Sequence, residues 1–136
     1  MGEKYSNPTV TEADGDFPGS SDKIEEVLTW MKSFDILIPK PSEARDYLRE
    51  YDDIIDLLYF VCKITREKFG YGPQLSLEVF RDPESDYRNL TLYVRKVSYE
   101  ANILDKLEEL DYQYGDMLSD KKGYILVTTD FEKPKM

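Results

Sequence analysis

Strict alternation of apolar and polar residues marks two segments of the chain as strands. Over 74–81 it sets Leu75, Leu77 and Val79 on one side and Ser76, Glu78 and Phe80 on the other. Over 88–95 it sets Leu90, Leu92 and Val94 against Thr91, Tyr93 and Arg95. Asp82-Pro83-Glu84-Ser85-Asp86-Tyr87 joins them as a hairpin-type loop, and a third strand is predicted over 124–129, after the turn Lys121-Lys122-Gly123. Elsewhere the spacing is helical. Ile24, Val27, Leu28 and Met31 share one face of a helix predicted over 22–34, capped by Ser21 or Asp22. From Ser42, read as a cap, the series Tyr47/Leu48, Tyr51, Ile54/Ile55, Leu58, Val61/Cys62, Thr65 and Phe69 predicts a long helix that stops at Gly70, with a break expected near Tyr51-Asp52-Asp53. Lys63, Arg66 and Lys68 gather at its end, where cations complement the helix dipole. Ser98 opens a further helix through about Leu118, burying Ile103, Leu107, Leu110 and Tyr114. Ile36-Leu37-Ile38, closed by Pro39 and Pro41, reads as an edge strand or an extended segment packed on the core.

The order helix, helix, strand, strand, helix, strand defines an α+β fold: a small three-stranded sheet with helices on its Leu/Val face. A hairpin followed by a helical crossover leaves the last strand parallel to the second. Set beside the first, it gives the expected antiparallel order 2-1-3; set beside the second, it gives a mixed sheet, the lesser alternative. Residues 1–20, with Gly2, Pro8, Gly15, Pro18 and Gly19 and almost no apolar periodicity, read as a disordered, flexible leader. Residues 21–136 then form a single domain.

Composition narrows the chemistry. The 136 residues include 28 Asp and Glu against 18 Lys and Arg, a formal charge of −10, with no histidine and one cysteine. These counts exclude histidine-based zinc sites, Ser-His and Cys-His nucleophile pairs, and any disulfide within one chain. Cys62 lies in the apolar run over 57–62 and is predicted to be a buried hydrophobe. The chain shows no run long and apolar enough for a membrane span, and Met1-Gly2-Glu3-Lys4-Tyr5 leads into polar sequence, so the cytoplasm is the expected compartment. The acidic field opposes phosphate backbones.

The most suggestive feature is the pair Phe80 and Tyr93, on the strand side opposite the aliphatic face, with Glu78 and Arg95 beside them. These four residues are the candidate partner-binding set, because aromatic residues are enriched in interface cores. The competing reading is that the N-terminal helix, with Ile24, Val27, Trp30 and Met31, packs over that side. Stacking of single-stranded RNA bases there is the weakest reading, since it calls for a positive field. Asp52, Asp53 and Asp56 are the weak metal candidates: Asp52 and Asp56 lie one turn apart, where they could hold magnesium, although acidic helix faces are ordinarily solvated. Asp82-x-Glu84-x-Asp86 opens like a calcium loop but places Tyr87 where glycine is required and Tyr93 where the bidentate glutamate belongs. Arg81 and Arg88 flank that acidic tip and are expected to neutralise it. Gly70-Tyr71-Gly72-Pro73 runs from helix to strand, the wrong sense for a phosphate loop. Tyr47, Tyr51 and Tyr114 fall at core spacing, with hydroxyls expected to reach water.

The expected function is that of a small acidic cytoplasmic interaction or regulatory protein, without a cofactor. It would bind a protein partner with a basic surface through the aromatic side of its sheet or its N-terminal region. The alternative is a metal-dependent enzyme using clustered carboxylates. A short sheet leaves two edges, which makes a homodimer as expectable as a monomer.

Overall fold

A computed structural model describes residues 20–135. The leader expected over 1–20 falls, except for Ser20, outside the described residues. Helix α1 spans Ser20–Ser33 and is followed by Asp35 at φ 60°, a left-handed conformation that aspartate tolerates better than most residues and that turns the chain sharply into strand β1, Ile36–Leu37. Pro39 and Pro41 lack the amides that would extend this strand. Pro41 instead opens helix α2, Pro41–Glu50, at a position where a missing N–H costs nothing. The N-cap is Lys40, without a side-chain bond, so the expected cap Ser42 lies inside the helix. A single 3₁₀ turn, Asp52–Ile54, separates α2 from helix α3, Ile55–Phe69, at the predicted break. Gly70, at φ 72°, ends α3.

Strands β2, Gln74–Arg81, and β3, Arg88–Arg95, form the predicted hairpin. Helix α4 spans Ile103–Tyr114 and runs into a 3₁₀ turn, Gly115–Leu118, before strand β4, Ile125–Thr128. The helix expected from Ser98 therefore begins five residues later. Tyr99, inside the expected first turn, is engaged elsewhere: its hydroxyl accepts the Lys96 N–H at 3.2 Å and the Thr129 hydroxyl at 3.2 Å, and donates to the Glu132 carbonyl.

The described residues form one four-stranded mixed sheet in the order β1-β2-β3-β4. β1 is parallel to β2, β2 antiparallel to β3, and β3 parallel to β4. This corrects two expectations, the three-stranded count and the antiparallel 2-1-3 order. Ile36 and Leu37 pair with Leu75 and Ser76 and so occupy the edge of β2 that β4 was expected to take. β4 lies beside β3 instead, Leu90 facing Ile125 and Leu92 facing Val127. The domain is thus two strand-helix-strand units joined by the hairpin.

Leu75, Leu77, Leu90, Leu92 and Val94 form one core with Ile24, Val27 and Met31 of α1, Leu48 of α2, Leu58 and Val61 of α3, and Leu107 and Leu110 of α4. Cys62 is buried in it as predicted, and burial pushes its thiol well above the ordinary range. One buried cation ties the layers together. Arg66 donates to the carbonyls of Phe34 and Asp35 at 3.3 and 2.9 Å and to those of Gly70 and Pro73, both at 3.1 Å. It thereby joins the end of α1, the end of α3 and the approach to β2.

Candidate functional site

Leu37, Ser76, Glu78, Phe80, Thr91, Tyr93 and Arg95 share the side of the sheet opposite the Leu/Val core, because side chains alternate along each strand and the registers align them. α1 does not cover this side: it packs on α2, α3 and β1, with Trp30 stacked on Phe34 at 4.7 Å and tilted against Tyr59 at 4.9 Å. The reading in which Trp30 and Met31 shield Phe80 and Tyr93 is therefore replaced.

Partial cover comes from the other end of the chain. Residues 129–135 cross the sheet at the Gln74–Arg95 pair. Asp130 binds Arg95; the Lys135 N–H donates to the Gln74 side-chain oxygen at 2.7 Å, and the Gln74 amide donates to the Lys135 carbonyl at 2.6 Å. Phe131 packs against Tyr99 with ring centroids 5.2 Å apart. A groove of about 360 Å³ lies between this strap and the end of β1, lined by Leu37, Ile38, Pro39, Glu78 and Lys135. At the far end Phe80 keeps 39% of its surface exposed.

Arg95 is only 3% exposed. It donates to Glu78 at 2.9 Å and to both oxygens of Asp130 at 2.8–3.2 Å, and its guanidinium lies 4.6 Å from the centre of the Tyr93 ring. Burial opposes its charge, but the bonds to Asp130 and Glu78 outweigh burial and raise its pKa. The same contact holds Asp130 below the usual carboxylate range. Tyr93 is shifted upward by burial and by the nearby negative charges of Glu78 and Asp130, and so stays a neutral phenol. Ser76 completes the cluster by donating to Glu78 at 2.9 Å.

The four sequence candidates therefore meet on one side but divide in role. Glu78 and Arg95 are committed to each other and to Asp130; Tyr93 supports Arg95; Phe80 alone presents a large free apolar surface. Asp130 escaped sequence reading because its role comes from a contact across 35 positions of chain. The buried hydroxyls also went unread. Tyr114 was expected to reach water, yet it accepts the Val127 N–H at 3.0 Å and donates to Asp111 at 2.7 Å; Tyr47 likewise accepts the Tyr124 N–H at 3.1 Å.

Among the charged candidates elsewhere, Asp53, Asp82 and Arg88 have structural partners. Asp53 accepts the Lys122 N–H at 2.6 Å and the Gly123 N–H at 3.3 Å, fixing the approach to β4. Asp52 and Asp56 do not combine with it into a metal cage: among the described residues no group of three His, Cys, Asp or Glu could hold an ion. At the hairpin tip Asp82 accepts the Glu84 N–H at 2.9 Å and the Ser85 hydroxyl at 3.0 Å, which shapes the turn. Arg88 turns away from that tip to Glu50 and lies over the ring of Tyr47 at 5.4 Å. Among the described residues no helix is long and apolar enough to cross a membrane. No family model, curated protein or solved structure matches the chain.

Proposed function

We propose that the chain is a small acidic protein-interaction domain that offers the Phe80 end of its sheet, on the side away from the Leu/Val core, to a partner protein. One observation carries the reading: Phe80 keeps 39% of its surface exposed at the hairpin end of the sheet, on the side away from the Leu/Val core. The Arg95–Glu78–Asp130 cluster at the other end supports it, because the ion pairs made by the buried Arg95 tie β2, β3 and the following strap together. Contact through the face is favoured over strand pairing. β1 is two residues long and followed by proline, and the Val127 amide of β4 is already taken by Tyr114. A cytoplasmic setting belongs to the same proposal and is supported by the unpaired, buried Cys62.

The test compares capture from an extract of the source cells by the native chain and by Phe80→Ser. Tyr93 is left in place because its ring supports Arg95. The proposal expects a specific protein retained by the native chain and lost from a variant whose circular dichroism is unchanged. Equal retention by both forms would contradict it.

A further inference from the structure

A second surface has no role in the Phe80 reading. A groove of about 630 Å³ runs between α3 and the 3₁₀ turn Gly115–Leu118. Its floor is apolar: Leu57 is buried, whereas Phe60 and Met117 keep 37% and 46% of their surfaces exposed. Among the described residues its rim carries Asp53, Asp56, Asp116 and Asp120 and one cation, Lys121, which lies 3.8 Å from Asp120.

The walls are held in place. Asp53 accepts the Lys122 and Gly123 amides, anchoring the segment after Gly115–Leu118 to the 3₁₀ turn that precedes α3. Gly123 packs so closely that a Cβ there would stand 2.8 Å from the Cβ of Tyr51 and 3.0 Å from Ile54. A fixed apolar trough between like-charged walls focuses a negative potential on whatever enters it. Apolar ligands without charge leave the aspartates uncompensated, and acidic ones are repelled.

From this complementarity we propose that the groove docks a partner segment in which an apolar side chain is flanked by Lys or Arg, the apolar residue seated on Phe60 and Met117 and the cations against the aspartates. This site is distinct from the Phe80 surface and stands whether or not that surface binds a protein.

The experiment uses the full chain and a short labelled peptide of Leu and Lys arranged as an amphipathic helix, beside a scrambled peptide of the same composition. Fluorescence anisotropy is expected to show salt-sensitive binding of the patterned peptide. The affinity should fall about tenfold or more for Phe60→Ser/Met117→Ser and for Asp56→Asn/Asp116→Asn, and should be retained by Phe80→Ser. Amide NMR shifts are expected over 53–60 and 116–121, which locates the peptide independently of any variant's stability. No binding, equal binding of the scrambled peptide, retained affinity in both groove variants, or shifts elsewhere would overturn the proposal. Loss of the peptide from Phe80→Ser would also overturn it, and would leave the sheet-face reading standing.

Discussion

Two buried guanidiniums do different work in this domain. Arg66 is surrounded by carbonyls: four backbone oxygens from three segments converge on it, while its Nε has no partner. Its planar fork serves acceptors that a lysine ammonium could not all reach. Arg66→Met should therefore leave those carbonyls unpaired and cost about 3 kcal/mol, read as a lower urea midpoint at unchanged slope. Arg95 is surrounded by carboxylates, and its contribution depends on acid. Asp130, with an ordinary value of 3.8, is held lower in the fold, first by the hydrogen bond from Arg95. A depressed carboxyl stabilises fully above its unfolded pKa, and that stability is lost as pH falls through the folded value. Native stability should thus drop below about pH 4, and Asp130→Asn should lack that component in an acid titration followed by circular dichroism.

At the scale of elements, two contacts set β4 in place. Tyr114 reaches from α4 to the Val127 amide, and its phenol is pushed well above the ordinary range, mainly by burial. Tyr114→Phe should cost about 1–2 kcal/mol and speed hydrogen exchange at Val127 relative to Leu92 in the central β3. Gly123 lies against Tyr51 and Ile54, so Gly123→Ala should destabilise by about 1–3 kcal/mol in thermal melts, by forcing the 3₁₀ turn and β4 apart. These contacts also explain what could be read in advance. The hairpin, the break at Tyr51-Asp52-Asp53, the stop at Gly70 and the burial of Cys62 are local patterns, written within a few residues of where they act. The place of β4 is not local: it depends on Ile36 and Leu37 having filled the edge of β2, and a two-residue strand carries almost no periodic signal. Ser98 resembled a helix start, but the hydroxyl of Tyr99 was recruited by residues thirty or more positions away. Phe80 was legible because alternation alone assigns it to a side, whereas the strap that binds Arg95 was not.

For the whole molecule, the helices gather on one side of the sheet, and the other side is shared between a polar cluster and an exposed aromatic. The net charge of −10 adds long-range attraction for basic partners without specifying where they dock. In the proposed reading specificity then falls to apolar anchors, with Phe80 as the one on the sheet face. The most direct measurement replaces Phe80 by a photo-crosslinking phenylalanine analogue and, as control, places the same analogue at Tyr112, which is exposed on α4. After irradiation in extract of the source cells, binding through Phe80 predicts one discrete protein adduct from position 80 and none from position 112. An absent adduct, or the same adducts from both positions, would contradict it.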